Sequence, residues 1–253
     1  MPLEIVTIPC RTDNYAYLLH DPVTGATAVV DVPEVGPIRK SLADRGWSLS
    51  DILITHHHTD HVEGVKELKS ETGARVIGAA ADAHRLPPLD VKVAEGDTVK
   101  VGDVEGQVLD VSGHTMGHIA FVFPGAAFTA DSLMALGCGR IFEGDPETMW
   151  TSLSKLAALP PETMIYSGHE YTEANGRFAL TVDPDNQALK ERMTDVREAR
   201  AEGRPTVPSL LEQEIATNPF LRARTDEMKA RLGMAGASDA KVFGEIRRRK
   251  DAF

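Results

Sequence analysis

The chain is short of several things, and each shortage removes a class of protein. Among 253 residues there are two cysteines, Cys10 and Cys138. One bridge is open to them, but no disulfide framework is. Long apolar runs are missing too. The longest, around Ala120 to Ala130, is broken by Pro124, Gly125 and Thr129, far short of the roughly 20 residues of a membrane helix. Positive charge is scarce: Lys and Arg number 27 against 38 Asp and Glu, a net charge of -11. That excess argues against a nucleic-acid or anionic-membrane partner, though a small anionic substrate remains compatible with a local basic patch. The start, Met1-Pro2-Leu3-Glu4, has no basic segment followed by an apolar one, so no signal peptide is expected and the expected location is cytoplasmic. Repeats and low-complexity tracts are absent.

What is there is ordinary globular material, 42% hydrophobic and 26% charged. It is enough for one large domain or a main domain with a smaller one attached. Short β-branched or aromatic runs at Ile5 to Ile8, Tyr15 to Leu19 and Thr27 to Val30 predict strands. So do Asp51 to Thr55, Val76 to Gly78, Val99 to Val101, Gln107 to Val111, Ile119 to Phe123, Phe128 to Ala130 and Met164 to Ser167. Val62 to Thr72 predicts a helix with Val62, Val65 and Leu68 on one face. Another follows Asp145, with Pro146 at its first position and Met149, Leu153 and Leu156 as its apolar stripe. Beyond Asn175 the pattern is helical: Asp185 to Glu202, Thr225 to Leu232 and Ser238 to Lys250, with capping-box spacing at Ser209 to Glu212.

The segment that carries chemistry is Thr55-His56-His57-His58-Thr59-Asp60-His61. Four of the 9 histidines fall in these seven positions, spaced H-x-H-x-D-H at the end of an apolar strand. In extended chain His56 and His58 point to one side and can converge on a cation. Asp60 and His61 follow at the turn into a helix and can aim at a second. Imidazole with carboxylate suits zinc, and also iron and manganese. His57 alternates away and is expected to have a supporting or structural part. Three more candidates each follow a strand: His114 in Ser112-Gly113-His114-Thr115, Asp131 after Phe128-Thr129-Ala130, and His169 after Ile165-Tyr166-Ser167-Gly168. Any one of them alone reads as a turn or a satisfied polar residue. Their recurrence at strand ends points to a site. His118 is expected to support it, whereas His20 and His84 read as ordinary residues.

The order H-x-H-x-D-H, Gly113-His114-Thr115, Ala130-Asp131 and Gly168-His169 resembles the metallo-β-lactamase superfamily. The resemblance implies an α+β fold, a four-layer αββα sandwich over residues 1–168 with a small all-helical domain over 169–253. It implies two divalent metal ions per chain, zinc foremost, with iron or manganese as alternatives. One would be held by His56, His58, His114 and Asp131, the other by Asp60, His61, Asp131 and His169, with Asp131 bridging. Two cations that share a water make it a nucleophile near neutral pH. Asp60, His61 and Asp131 take their expected catalytic part from this, and no Ser or Cys nucleophile is needed.

Three further stretches narrow the resemblance. They are Gly137-Cys138-Gly139-Arg140-Ile141-Phe142-Glu143-Gly144, Gly168-His169-Glu170-Tyr171-Thr172, and a tail with Asn218-Pro219-Phe220-Leu221-Arg222 and Arg247-Arg248-Arg249-Lys250-Asp251-Ala252-Phe253. All three are similar to the hydroxyacylglutathione hydrolases (glyoxalase II), and the similarity spans essentially the whole chain. It implies hydrolysis of S-D-lactoylglutathione and related S-(2-hydroxyacyl)glutathiones to glutathione and a 2-hydroxy acid, the second step of methylglyoxal detoxification. It implies a monomer whose partner is the small thioester, with neither nucleic acid nor membrane. Glutathione brings two carboxylates, and the basic run in the tail supplies local positive charge. Arg247 and Lys250, three apart, share a helical face. The resemblance assigns them to the substrate together with Arg140, Phe142 and Tyr171. Two departures stand out: Phe142 where many members carry Tyr, and Thr59 where a bulkier residue is common.

Four rival readings have distinct signatures. A class B β-lactamase would carry an export signal, and some use Cys where Asp131 stands. A glutathione persulfide dioxygenase would hold a single iron and consume oxygen. A nuclease would need a basic surface. A metal- or partner-binding module would take up metal without turnover.

Overall fold

The computed structural model describes residues 2–253. Alternating β-branched and aromatic residues open the chain as an antiparallel meander, β1 (Glu4–Cys10), β2 (Asn14–His20) and β3 (Thr27–Val30), with Ile5 opposite Leu19 and Tyr17 opposite Val30. From there the direction changes. Helix α1 (Val35–Arg45), which the sequence pattern did not predict, buries Val35, Ile38 and Leu42 and carries the chain back. β4 (Leu49–Leu53) then lies parallel to β3, as a crossover connection requires. Two helices follow, α2 (Thr59–Val62) and α3 (Val65–Thr72), in place of the single helix expected over Val62 to Thr72. The interruption falls at Gly64, whose N–H donates to the Val32 carbonyl at 3.0 Å. A Cβ there would come within 2.7 Å of a Val32 methyl, so the chain hugs the exit of β3 where a side chain has no room. β5 (Arg75–Ala79) and β6 (Val91–Val93) complete a six-stranded sheet in the order β1-β2-β3-β4-β5-β6.

An antiparallel ribbon comes next: β7 (Thr98–Val101), β8 (Val104–Asp110), β9 (Ile119–Phe123) and β10 (Ala126–Ala130). It packs face to face on the first sheet. The Tyr17 ring lies 5.6 Å from Phe128, which in turn lies 6.3 Å from Phe123. Phe121, Phe128, Leu18, Ile52 and Ile54 are fully buried. Each contributes about 1.5–3 kcal/mol by leaving water. The chain up to Asp110 together with Gly117–Phe128 forms one compact unit, and Val111–Met116 with Thr129–Phe253 forms a second.

The second unit begins with a short hairpin, β11 (Leu133–Met134) and β12 (Gly137–Cys138). Helix α4 (Pro146–Leu156) starts as the sequence predicts: Asp145 accepts from the Thr148 N–H at 2.7 Å and Pro146 fills the first turn. β13 (Met164–Ser167) is followed by α5 (Thr172–Val182), α6 (Gln187–Ala201), β14 (Ser209–Leu210), α7 (Leu211–Thr217), α8 (Asp226–Arg231) and α9 (Asp239–Asp251). The second sheet runs β14-β13-β10-β9-β8-β7. The capping box expected at Ser209 is not there. Ser209 pairs with Ile165 in the sheet, and α7 starts after Leu210 with no side-chain cap. Sheet pairing outweighs the roughly 1 kcal/mol of a cap. Phe220 anchors the helical core, 6.1 Å from Phe178 and 5.8 Å from Phe243. Two sheets flanked by helices, followed by a helical C-terminal region, are the architecture the resemblance implied. Among the described residues no helix is long and apolar enough to cross a membrane.

Candidate metal centre

In the first unit the site grows from the end of β4. Strand β3 leaves Asp31 buried, with a left-handed backbone at φ 56°. Its Oδ1 accepts from the Thr55 N–H at 2.9 Å, and its Oδ2 accepts from the Thr55 hydroxyl at 2.8 Å and from His61 Nδ1 at 2.8 Å. A carboxylate only accepts, so the Thr55 hydroxyl donates its proton here. Its lone pair then receives the Nδ1–H of His56, 3.0 Å away. One buried acid thereby sets the tautomer of two imidazoles and leaves Nε2 of each as a lone pair. His56 Nε2 stands 3.2 Å from His58 Nδ1, and Asp60 Oδ2 stands 3.9 Å from His61 Nε2. Asn14 holds Asp60 by its carbonyl and its Oδ2, each at 3.1 Å. Asp31, His56 and His61 bring ligand-type atoms within 4.8 Å of one another. Asp31 bonds the Nδ1 side of His61, however, so it orients that ring and does not share an ion with Nε2.

The second unit presents His114, Asp131 and His169. Ala130, the residue before Asp131, sits at φ 40° and its carbonyl accepts from the Gly168 N–H at 3.0 Å. This strained turn links the ends of β10 and β13, which are where Asp131 and His169 emerge. His114 donates Nδ1–H to the Arg140 carbonyl at 2.7 Å, again leaving Nε2. Asp131 Oδ2 lies 3.5 Å from His114 Nε2 and 3.3 Å from His169 Nε2. Gly139 passes so close that a Cβ would collide with the Asp131 carbonyl and come within 2.7 Å of His114 Nδ1. Ligand atoms about 2.0–2.1 Å from a tetrahedral zinc stand about 3.3 Å apart. The spacings of 3.2, 3.5 and 3.3 Å match that geometry, the 3.9 Å between Asp60 and His61 is wider, and the fixed Nε2 lone pairs suit a cation.

The remaining expected residues fall in two groups. His57 bonds Asp82 at 2.9 Å, and its ring meets the His58 ring edge-on at 5.0 Å. The His118 ring stacks on His56 at 4.5 Å. His20 stacks on Trp47 and bonds Thr27, an ordinary structural part. Phe142 is 62% exposed, and its ring meets His114 edge-on at 5.3 Å. Tyr171 stacks on His169 at 4.7 Å, and Arg140 is exposed. Arg247 is buried: it donates to the Cys138 carbonyl at 3.1 Å, pairs with Asp251 at 2.8 Å and lies over Phe220. Lys250, half-buried against Phe178 and Phe253, has its pKa lowered by burial and by Arg247, Arg177 and Arg140. Arg248 and Arg249 instead pair with Glu245. Both cysteines are free and buried. Burial pushes the Cys138 thiol up to about 11, so it stays protonated and is no nucleophile. Sequence reasoning missed Asp31, Asn14 and Asp82. The one signal was an acid directly after a β-branched strand, which Asp31 shares with many turns.

Residues 13–169 match the family model described as metallo-beta-lactamase superfamily, and residues 170–253 match the one described as hydroxyacylglutathione hydrolase C-terminus. A hydroxyacylglutathione hydrolase of Cereibacter sphaeroides is 66% identical over 255 residues, covering all of both chains. The chain belongs to the hydroxyacylglutathione hydrolase family. A second family member, from Ruegeria pomeroyi, is 63% identical over the full length of both. Among solved structures, ETHE1 from Myxococcus xanthus superposes with a TM-score of 0.70 at 25% identity, over 98% of this chain and 90% of its own. A protein described in a di-iron-bound form superposes at 0.56 with 30% identity, over 66% of this chain and 91% of its own. The family's His/Asp metal-binding clusters are thus present in both units of this member.

Proposed function

We propose that the chain hydrolyses S-(2-hydroxyacyl)glutathione thioesters, S-D-lactoylglutathione foremost, to glutathione and a 2-hydroxy acid, and that the two clusters together hold a pair of divalent cations. One observation carries the reading. A single oxygen, Asp131 Oδ2, faces two imidazole nitrogens at 3.5 and 3.3 Å, in a chain 66% identical end to end to a hydroxyacylglutathione hydrolase. His56, His58, His114 and Asp131 serve one cation, and Asp60, His61, Asp131 and His169 the other. The donor set suits zinc and also accepts iron or manganese; a neighbouring structure is described with two irons. When bound, such a pair supplies an activated water and a Lewis acid for the thioester carbonyl.

The chain's own groups do the rest. Asp31, through Thr55 and directly, keeps His56 and His61 in the Nε2-ligating tautomer. Asn14 holds Asp60, and the Asp60 and Asp131 carboxylates accept from and orient the attacking water. The helical region 169–253 and Arg140 take the glutathione end. Lys250 stands among Arg247, Arg177 and Arg140, and burial first, then repulsion by these three cations, lowers its pKa. A carboxylate of glutathione relieves that repulsion. Tyr171, braced on His169, offers its phenol, and Phe142 offers only its ring. A thiol of pKa about 8.5 leaves without a dedicated acid, which fits a Cys138 that stays neutral and engaged elsewhere.

The test follows S-D-lactoylglutathione hydrolysis and metal content on the same sample. Turnover with two metals per chain is expected. No turnover at full loading sinks the proposal. One iron per chain with oxygen uptake on glutathione persulfide transfers the chain to the dioxygenase reading.

A further inference from the structure

The histidine between the two ligands of the H-x-H pair has its own anchor. His57 Nδ1 lies 2.9 Å from Asp82 Oδ2, and the other oxygen of Asp82 accepts from Arg85 Nε at 2.5 Å. Asp82 is 1% exposed, at the end of the single-turn helix Ala80–Asp82 that follows β5. Its other side is also occupied. Gly117, at φ 91°, turns the chain so tightly against Asp82 that a Cβ would lie 2.8 Å from the Asp82 Cβ. The next residue, His118, stacks its ring on His56 at 4.5 Å and 12°. One buried carboxylate therefore grips the His56–His58 loop from within, through His57, and from the side, through the Gly117 turn.

We infer that Asp82 is a positioning residue for the metal pair, acting through His57 to hold the His56 and His58 rings at ligating separation. Nothing in the chemistry of thioester cleavage asks for an acid there. A buried carboxylate is costly unless it is bonded; one oxygen of Asp82 is spent on His57 and the other on Arg85, which fixes the carboxylate that holds the loop. The backbone between His56 and His58 carries no other side chain than His57, so a fixed His57 ring fixes the phase of its two neighbours. Groups that orient metal ligands change metal affinity by 10–100-fold when removed. Asp82 acts one bond further out, so about tenfold is expected. The inference rests on the two-cation reading above.

The test is zinc affinity measured by competition with a chromophoric chelator, on full-length protein stripped of metal and reloaded. Asp82→Asn and His57→Ala should each weaken zinc binding about tenfold. His57→Asn, whose amide nitrogen can take the place of Nδ1 and donate to Asp82, should restore most of that loss. The thermal midpoint of the metal-free variants is followed in parallel. Unchanged zinc affinity in Asp82→Asn and His57→Ala overturns the inference, whether or not the midpoint falls. So does a weakening in His57→Ala that His57→Asn fails to rescue. Wild-type protein that binds no zinc overturns the two-cation reading and this inference together, an outcome distinct from the others.

Discussion

Replacing Asp31 by asparagine isolates the tautomer argument from the fold. The wild-type carboxylate accepts three hydrogen bonds, from the Thr55 N–H, the Thr55 hydroxyl and His61 Nδ1, at 2.9, 2.8 and 2.8 Å. In Asp31→Asn the oxygen must stay opposite the Thr55 N–H, which can only donate. The amide nitrogen then faces the Thr55 hydroxyl and His61. It can only donate, so His61 Nδ1 becomes an acceptor and its proton moves to Nε2. The Thr55 hydroxyl, now receiving a proton, donates its own to His56 Nδ1, which moves that ring's proton to Nε2 as well. Two imidazoles present N–H where they presented lone pairs. Asparagine tolerates φ 56°, and no buried donor is orphaned, so stability should fall by only about 1–2 kcal/mol. Metal affinity should fall about 10–100-fold, with turnover lost at limiting metal. Asp31→Ala is the contrast. It orphans buried donors and places a Cβ-bearing residue without a polar side chain at φ > 0, and about 3–5 kcal/mol of stability should go. Metal content by mass spectrometry, chelator titration and thermal melts of the metal-free protein measure all three quantities. An Asp31→Asn protein with wild-type affinity and rate refutes the reasoning.

Asp131→Ala removes the shared oxygen, and the bound metal count should drop while turnover almost vanishes; full metal content with a near-normal rate argues against bridging. Gly139→Ala should force His114 and Asp131 apart and lower metal content in protein that remains folded by circular dichroism. Unchanged content means the loop yields without moving the ligands. Lys250→Ala should raise KM for the thioester about tenfold or more, the loss of one charge-assisted hydrogen bond, and leave metal content alone. Arg247→Ala should add a stability loss, because its guanidinium also serves the Cys138 carbonyl, Asp251 and Phe220. An unchanged KM when Arg247→Ala and Lys250→Ala are combined removes the tail from the site. The pKa of Lys250 is lowered, chiefly by burial, so its charge is lost below the ordinary lysine range. KM for an anionic substrate should therefore climb early on the alkaline side, and Lys250→Ala should flatten that limb. The native chain binds fewer protons than the unfolded one in that window, so stability in the absence of substrate should rise with pH there.

The sequence by itself determined the candidate ligands: seven His and Asp side chains, four of them packed into H-x-H-x-D-H, each set just past an apolar strand. That much is local, because a strand's end fixes which way its last side chains point. It also determined the first strands and the start of α4, where alternation or a cap decides the outcome within a few residues. The tertiary structure decided what depends on distant neighbours. The Val32 carbonyl takes the Gly64 N–H in place of a helical partner and so interrupts the helix after His61. Ile165 draws Ser209 into a sheet that its own capping pattern would not choose. Asp31 and Asp82 look like any acid after a strand, and their role exists only once Thr55, His61 and His57 have been brought against them. A hydrogen bond of 2.8 Å across 30 positions has no trace in local composition, since what selects it is burial, and burial is a property of the packed whole.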